Sequence, residues 1–278
     1  MTLLLLAGCA APEVIRGVVY DDRFGKETSL DVYLPDGGDS RAAVMLIHGG
    51  GWRFGSRDMY ERTADRLARS GFVAVPIDYR LGAAGRWPAG AQDCVCALSF
   101  LRAHAADYGI DPLRIAVTGY SAGGHLSALL GVAADDPVIA PDCEWGPTDL
   151  PAAAIPGDGP YDLRGRDRDL IRDFLGGTEE EMPEAYADAS PLTHVAPGKP
   201  PFLFVHATGD LVDVEMAREM RSALANAGND ARLLEIAGGG HVTNPGADVG
   251  RLYVQAAEDQ PEAWLATVDF LDETLGAP

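Results

Sequence analysis

The sequence predicts a doubly wound α/β fold, and three observations carry the prediction. Several short runs are almost continuously apolar, segments with helical spacing lie between them, and the two kinds of segment alternate along the chain. A run such as "AAVMLI" does not alternate with polar residues. A strand buried on both faces needs that pattern, so a mostly parallel sheet with helices on both faces is expected.

In chain order, "VIRGVVYDD" (14–22) and "SLDVYLP" (29–35) flank the turn-rich "RFGKE" and read as an antiparallel hairpin. The apolar runs follow at 42–47, 72–79, 114–119 and 202–207, and shorter strands are expected at 152–157 and 231–238, which makes eight. Residues 58–70, 89–106, 122–134, 214–227 and 261–274 place apolar side chains at helical spacing; the second starts after Trp87-Pro88 and the last has proline in its first turn. The stretch 135–200, rich in Pro, Gly and Asp, is the least regular and is expected to wall one side of a site.

The 278 residues, 47% of them apolar, suit one large domain with a substantial core, expected over 13–278. Against 42 acidic residues stand 22 basic ones, only Lys26 and Lys199 being lysines, for a net charge of -20. Such a surface repels phosphate backbones and anionic headgroups, so nucleic acid is excluded as a partner.

The N-terminus, "MTLLLLAGCAAP", contains Leu6-Ala7-Gly8-Cys9, similar to a bacterial lipobox in which Cys9 would carry a lipid anchor. The leader is short and lacks Lys and Arg, so residues 1–12 read as a truncated lipoprotein signal with the true start upstream. If that motif operates, the protein belongs to the bacterial periplasm or cell envelope; otherwise it is cytoplasmic. No segment reaches the ~20 apolar residues a membrane span requires. Cys94 and Cys96 lie two apart in a helical segment and cannot chelate one metal. Cys143 could bridge to either in an exported protein, whereas buried unreactive thiols are the default expectation.

The chemistry concentrates in "RIAVTGYSAGGHLSALL". A buried strand ends in Gly119-Tyr120-Ser121-Ala122-Gly123 and runs straight into a helix, the context of a G-x-S-x-G nucleophile elbow. Its strained turn would hold Ser121 Oγ at the sheet edge, beside the unpaired N–H groups of the helix start. A serine attacking a carbonyl creates an oxyanion, which needs preorganised donors. "HGGGW" (48–52) supplies bare peptide: Gly50 and Gly51 are expected to donate N–H groups together with Ala122. Trp52 and Tyr120, flanking these groups, are expected to contact substrate.

Serine also needs a base, and the base an orienting acid. His48 belongs to the glycine run, His104 and His125 to helices, His194 to an irregular loop and His206 to a strand. His241 follows a strand and a glycine run near the C-terminus and is the expected base. Asp210 ends the strand "FLFVHA" and is the expected acid; Asp213 is the reserve, with helix capping as its ordinary role. Asp78 precedes the serine in chain order and reads as structural.

Together "HGGGW", "DYRL…WPAGAQD", "YGIDPLRIAVTGYSAGGHLSALL", "ASPLTHV", "PPFLFVHATGD" and "GGGH" resemble the α/β-hydrolase superfamily over residues 28 to 275. The chain is similar to HGGG-type carboxylesterases related to hormone-sensitive lipase. It is closer still to the single-domain branch with feruloyl and acetylxylan esterases and kynurenine formamidases. The resemblance implies a Ser121–Asp210–His241 triad, an oxyanion hole of Gly50, Gly51 and Ala122, and no metal or organic cofactor. It departs from the family's frequent Asp-Pro-x-Val-Pro, having Asp210-Leu211-Val212-Asp213-Val214, and Val242 follows the histidine.

The expected reaction is acyl transfer to water from a small-molecule ester or an acylated polysaccharide. With no room for a large N-terminal cap, short acyl, acetyl or feruloyl groups are favoured. A formamidase would use the same constellation on an amide. A non-catalytic binding protein would have a broken triad, and a peptidase of this fold a large extra domain.

Overall fold

The computed structural model describes residues 11–238 and 261–276. Expectations for Cys9 and for His241 therefore lie outside the described residues. Among those described, eight strands form one sheet in the order β1-β2-β4-β3-β5-β6-β7-β8. The strands are β1 (Glu13–Val19), β2 (Ser29–Leu34), β3 (Arg41–Ile47), β4 (Val73–Ile77), β5 (Ile110–Tyr120), β6 (Ala153–Gly157), β7 (Phe202–Ala207) and β8 (Ala231–Ile236). β1 and β2 form the expected antiparallel hairpin, β2 also runs antiparallel to β4, and every other pairing is parallel.

β3 shows why the apolar runs do not alternate. Ala43, Met45 and Ile47 enter one core cluster, Ala42, Val44 and Leu46 the other, and all six are buried. Helices α1 (Glu61–Arg69) and α7 (Pro261–Leu275) cover the second face through Leu67, Ala68, Phe270 and Leu271. The first face is covered by α2 (Ala89–Ala103), α3 (Ala122–Ala133) and α6 (Glu215–Asn226), through side chains such as Leu98, Leu129 and Met220.

The interval read as irregular holds two short helices, α4 (Asp169–Leu175) and α5 (Pro183–Asp188), and no separate cap domain. Ile171, Phe174 and Leu175 of α4 are buried at i, i+3, i+4. That signal is legible in "RDLIRDFL", but at seven residues α4 is short for a periodicity reading. Cys96 and Cys143 form a disulfide, so of the two cysteine expectations bridging applies to that pair. Cys94 remains a buried thiol, and burial pushes its titration upward. The bridge fastens the 141–150 segment to α2 across 47 residues, a closure that destabilises the unfolded chain by about 4 kcal/mol in the chain-entropy model.

Two topological facts position the site. The chain steps from β3 outward to β4, then returns to place β5 on β3's other side, so the strand order reverses between β3 and β5. Ligands of open α/β sheets bind outside the carboxyl ends at such a point. Ile47 pairs with Gly119 and Tyr120 with Gly157, which brings the loops after β3, β5 and β6 together at that edge.

Candidate active site

Ser121 stands between β5 and α3 with φ 58 and ψ -121, a conformation disfavoured for any residue with a side chain. The strain is held by packing. A Cβ at Gly123 or Gly119 would overlap the Ile47 carbonyl oxygen, so only glycine lets α3 and β5 close on the end of β3. The Ser121 N–H donates to Gly157 O at 2.9 Å, and Ser121 O accepts from the His125 N–H at 2.9 Å. Ala122 is the first residue of α3, so its N–H has no acceptor within the helix.

The glycine loop is fixed through its carbonyls. His48 O accepts from Tyr79 Oη at 2.9 Å and Gly49 O from His48 Nδ1 at 2.7 Å. Gly50 O accepts from the N–H groups of Arg53 (3.1 Å) and Phe54 (3.2 Å). Because a trans peptide sets N–H opposite C=O, these bonds turn the N–H groups of Gly49, Gly50 and Gly51 away from the donors that hold the carbonyls. Gly50 (φ 110) and Gly51 (φ 59) adopt backbone that favours glycine. Gly49 packs on the nucleophile, a Cβ there falling 3.4 Å from Ser121 Cβ.

His48 is fully buried and stacked on Tyr79 with ring centroids 4.4 Å apart. Burial lowers its imidazole from 6.5 to about 4, so it is neutral at pH 7, with Nδ1 carrying the proton it donates. It is a brace of the loop, as its place in the glycine run implied.

Trp52 departs from expectation. It is 4% exposed, adopts a left-handed backbone (φ 57), and stacks on Phe174 of α4 at 4.5 Å and 12°. Its edge contact with His125 is at 5.2 Å. The indole shapes the loop from within the core instead of facing substrate, because the positive φ turns it inward. Tyr120 is partly buried, with its ring against Gly157 on the face that carries α1 and α7. Its N–H donates to Tyr60 Oη at 3.1 Å.

Asp210 lies on the loop after β7, and its Oδ1 accepts from the Val212 N–H at 2.6 Å. Buried His206 donates from Nε2 to Val212 O at 2.8 Å, and Asp158 Oδ1 accepts from the Ala207 N–H at 2.8 Å. Asp158, His206 and Asp210 bring ligand-type atoms within 4.8 Å of one another. Nε2 of His206, 3.9 Å from Asp158, spends its proton on Val212 O and offers no lone pair to a metal, so the group braces the acid loop. Asp158 (φ 45) was not singled out in the sequence, and nothing in "IPGDGP" distinguishes it from a turn aspartate. Asp213 accepts from the Glu215 N–H at 3.0 Å just ahead of α6, the helix-start role anticipated for it. Asp78 is engaged by Arg57 through its backbone N–H (2.7 Å) and guanidinium, a structural pairing.

The loop after β8 is tied to the acid loop: Thr208 N–H donates to Ile236 O and Gly209 N–H to Gly238 O, both at 2.9 Å. No helix among the described residues is long and apolar enough to cross a membrane.

Known proteins resemble this chain in sequence and fold. The BD-FAE family model matches residues 30–224. Esterase LipC of Mycobacterium tuberculosis is 36% identical over 239 residues, covering 81% of this chain and 59% of LipC. LipM of the same organism is 36% identical over 70% of this chain and 48% of its own length. The chain thus spans about half the length of the curated relatives it matches. Among solved structures, esterase Est2 of the Planctomycetes species Thermogutta terrifontis superposes with a TM-score of 0.73 at 28% identity, covering 95% of this chain and 93% of Est2. A truncated carbohydrate esterase from gut microbiota superposes with a TM-score of 0.82 at 24% identity, over 97% of this chain and 98% of that one, a likeness of fold. With the elbow, the glycine loop and the sheet order already in place, this match shows that the chain belongs to the BD-FAE family of the α/β-hydrolase superfamily.

Proposed function

We propose that the chain is a serine carboxylic-ester hydrolase acting through an acyl-enzyme on esters with short or acetyl-type acyl groups. The observation that carries this reading is the glycine loop beside Ser121, whose carbonyls are held on one side so that its N–H groups present on the other. In the proposed mechanism Ser121 Oγ attacks the ester carbonyl while His241 takes its proton. Gly50, Gly51 and Ala122 N–H groups receive the oxyanion, and collapse expels the alcohol, protonated by His241. Water then attacks the acyl-enzyme with His241 as base, releasing the carboxylic acid. Each oxyanion donor is worth roughly 3 kcal/mol of barrier.

The base is supported by tethering. His241 is three residues beyond Gly238, whose carbonyl is bonded to Gly209, next to Asp210. Three residues span at most about 11 Å, so the chain length is compatible with a histidine at position 241 serving an acid at 210. Ester over amide is supported by relatives described as esterases and by Est2, whose solved forms include one with propionate bound. The Cys96–Cys143 disulfide supports an oxidising compartment, in keeping with the lipobox-like Leu6–Cys9.

The test is hydrolysis of p-nitrophenyl esters from acetate to palmitate by the wild type and three variants. Short chains are expected to be preferred. Ser121→Ala and Asp210→Asn are each expected to lower kcat by about 10⁴-fold or more, and Asp213→Asn by less than about threefold. Activity that survives Ser121→Ala contradicts the reading, and a loss confined to Asp213→Asn would move the acid there.

A further inference from the structure

Asp158 directly follows β6 with φ 45, a left-handed backbone that favours glycine. In "IPGDGP" glycine stands on both sides of it, so a side chain occupies the position whose backbone disfavours one. Its hydrogen bonds show what the side chain does there.

In a continued parallel ladder, residue 158 would donate its N–H to Val205 O and accept the Ala207 N–H at its own carbonyl. The first bond is present: Asp158 N–H donates to Val205 O at 3.1 Å, just past the last β6–β7 pair, Gly157 with Val205. The second is made by the side chain, Asp158 Oδ1 accepting the Ala207 N–H at 2.8 Å. The left-handed turn takes the chain out of the sheet, and the carboxylate stands in for the carbonyl that leaves with it.

On one side of this bond is the nucleophile. Gly157 O accepts the Ser121 N–H at 2.9 Å, and a Cβ at Gly124 of α3 would lie 2.1 Å from that same oxygen. Gly159 packs on the same turn of α3, a Cβ there falling 2.7 Å from His125 N. On the other side is the acid: Ala207, whose N–H Asp158 holds, accepts the Asp210 N–H at its carbonyl at 3.3 Å. Further bonds of the acid loop run elsewhere, His206 to Val212 within the loop and Thr208 and Gly209 toward β8. Asp158 thus joins the serine turn to the acid loop.

We infer that Asp158 is a positioning residue of the reaction: its carboxylate locks the acid loop to the serine elbow and so sets where Asp210 stands relative to Ser121. This inference rests on the esterase reading and deepens it, since the side chain takes no part in bond making and acts through Asp210. A displaced acid misaligns the base it orients, and a misplacement of about 1 Å is worth about 100-fold in rate.

The test is the hydrolysis of p-nitrophenyl acetate by Asp158→Gly and Asp158→Asn, each alone and with Asp210→Asn. Glycine suits the left-handed backbone, so Asp158→Gly is expected to unfold near the wild-type temperature while kcat falls by about 10–100-fold and KM changes by less than about threefold. Asp158→Asn keeps an acceptor for the Ala207 N–H, tolerates the same backbone, and should recover most of kcat. In the Asp210→Asn background, where no acid remains to be positioned, Asp158→Gly should lower the residual rate by less than about threefold. Asp158→Ala read beside Asp158→Asn gives the same contrast should the glycine variant fail to fold. A kcat within about threefold of wild type in Asp158→Gly, no recovery in Asp158→Asn, or an equal loss with and without Asp210 each overturns the inference while ester hydrolysis dependent on Ser121 stands. A wild type that hydrolyses no ester overturns both.

Discussion

His48 adjoins the glycine loop and His125 lies one turn into the helix after Ser121, yet neither imidazole belongs to the proposed chemistry. His48 holds Gly49 O and His125 donates from Nε2 to Ala189 O at 2.7 Å. Burial lowers both imidazoles from 6.5 to about 4. An unfolded histidine titrates near 6.5, so as pH falls below that value the unfolded chain takes up protons that the folded one refuses. The stability these groups contribute is complete above about 6.5 and is lost as pH falls toward 4. At pH 5 the loss is on the order of 2 kcal/mol for each. Buried Asp78 and Asp93, whose carboxyls burial raises, act in the opposite sense. Urea unfolding at pH 7 and pH 5 should show a clearly lower midpoint at pH 5, and equal midpoints would contradict the assignment. Single residues were legible in the sequence where chemistry and position coincide. Ser121 was marked by the two glycines that its packing demands, and Asp213 by its place before α6. Trp52 was not legible, because its inward turn depends on a positive φ and on a partner, Phe174, over a hundred residues away.

The eight strands and the long helices fall within a few residues of their expected bounds, because a two-sided sheet and amphipathic helices write their periodicities directly into the chain. The short α4 carries less pattern and more function. Phe174 is 3% exposed, stacked on Trp52 and in edge contact with Trp87 at 6.1 Å, and the Trp87 N–H donates to its carbonyl at 2.8 Å. Trp52 holds an unfavourable backbone conformation that packing must sustain. Phe174→Ala is expected to cost about 3–5 kcal/mol of stability. It should also lower kcat for every ester alike, since the stack supports the oxyanion loop and not a particular part of the ester. Phe174→Tyr or Phe174→Leu should recover much of both. A variant with that stability loss but unaltered kcat would show that α4 does not position the loop.

Across the whole molecule, the reversal of strand order between β3 and β5 sets the glycine loop and the serine elbow side by side, with the Asp158 and Asp210 loops following along the same edge. Strand order was not legible in the sequence, since an apolar run specifies burial but not its neighbour. The disulfide was open for the same reason, as spacing alone does not choose between Cys94 and Cys96. The claim on which the rest depends is that the N–H groups of Gly50, Gly51 and Ala122 converge on one oxygen of a group bound to Ser121. The direct measurement is a crystal structure of the protein after reaction with an alkyl fluorophosphonate, which leaves a tetrahedral phosphorus on the attacking oxygen. The adduct is expected on Ser121 Oγ, with its phosphoryl oxygen about 2.7–3.1 Å from those three nitrogens. An adduct on another residue, or a phosphoryl oxygen turned to solvent, would contradict the account.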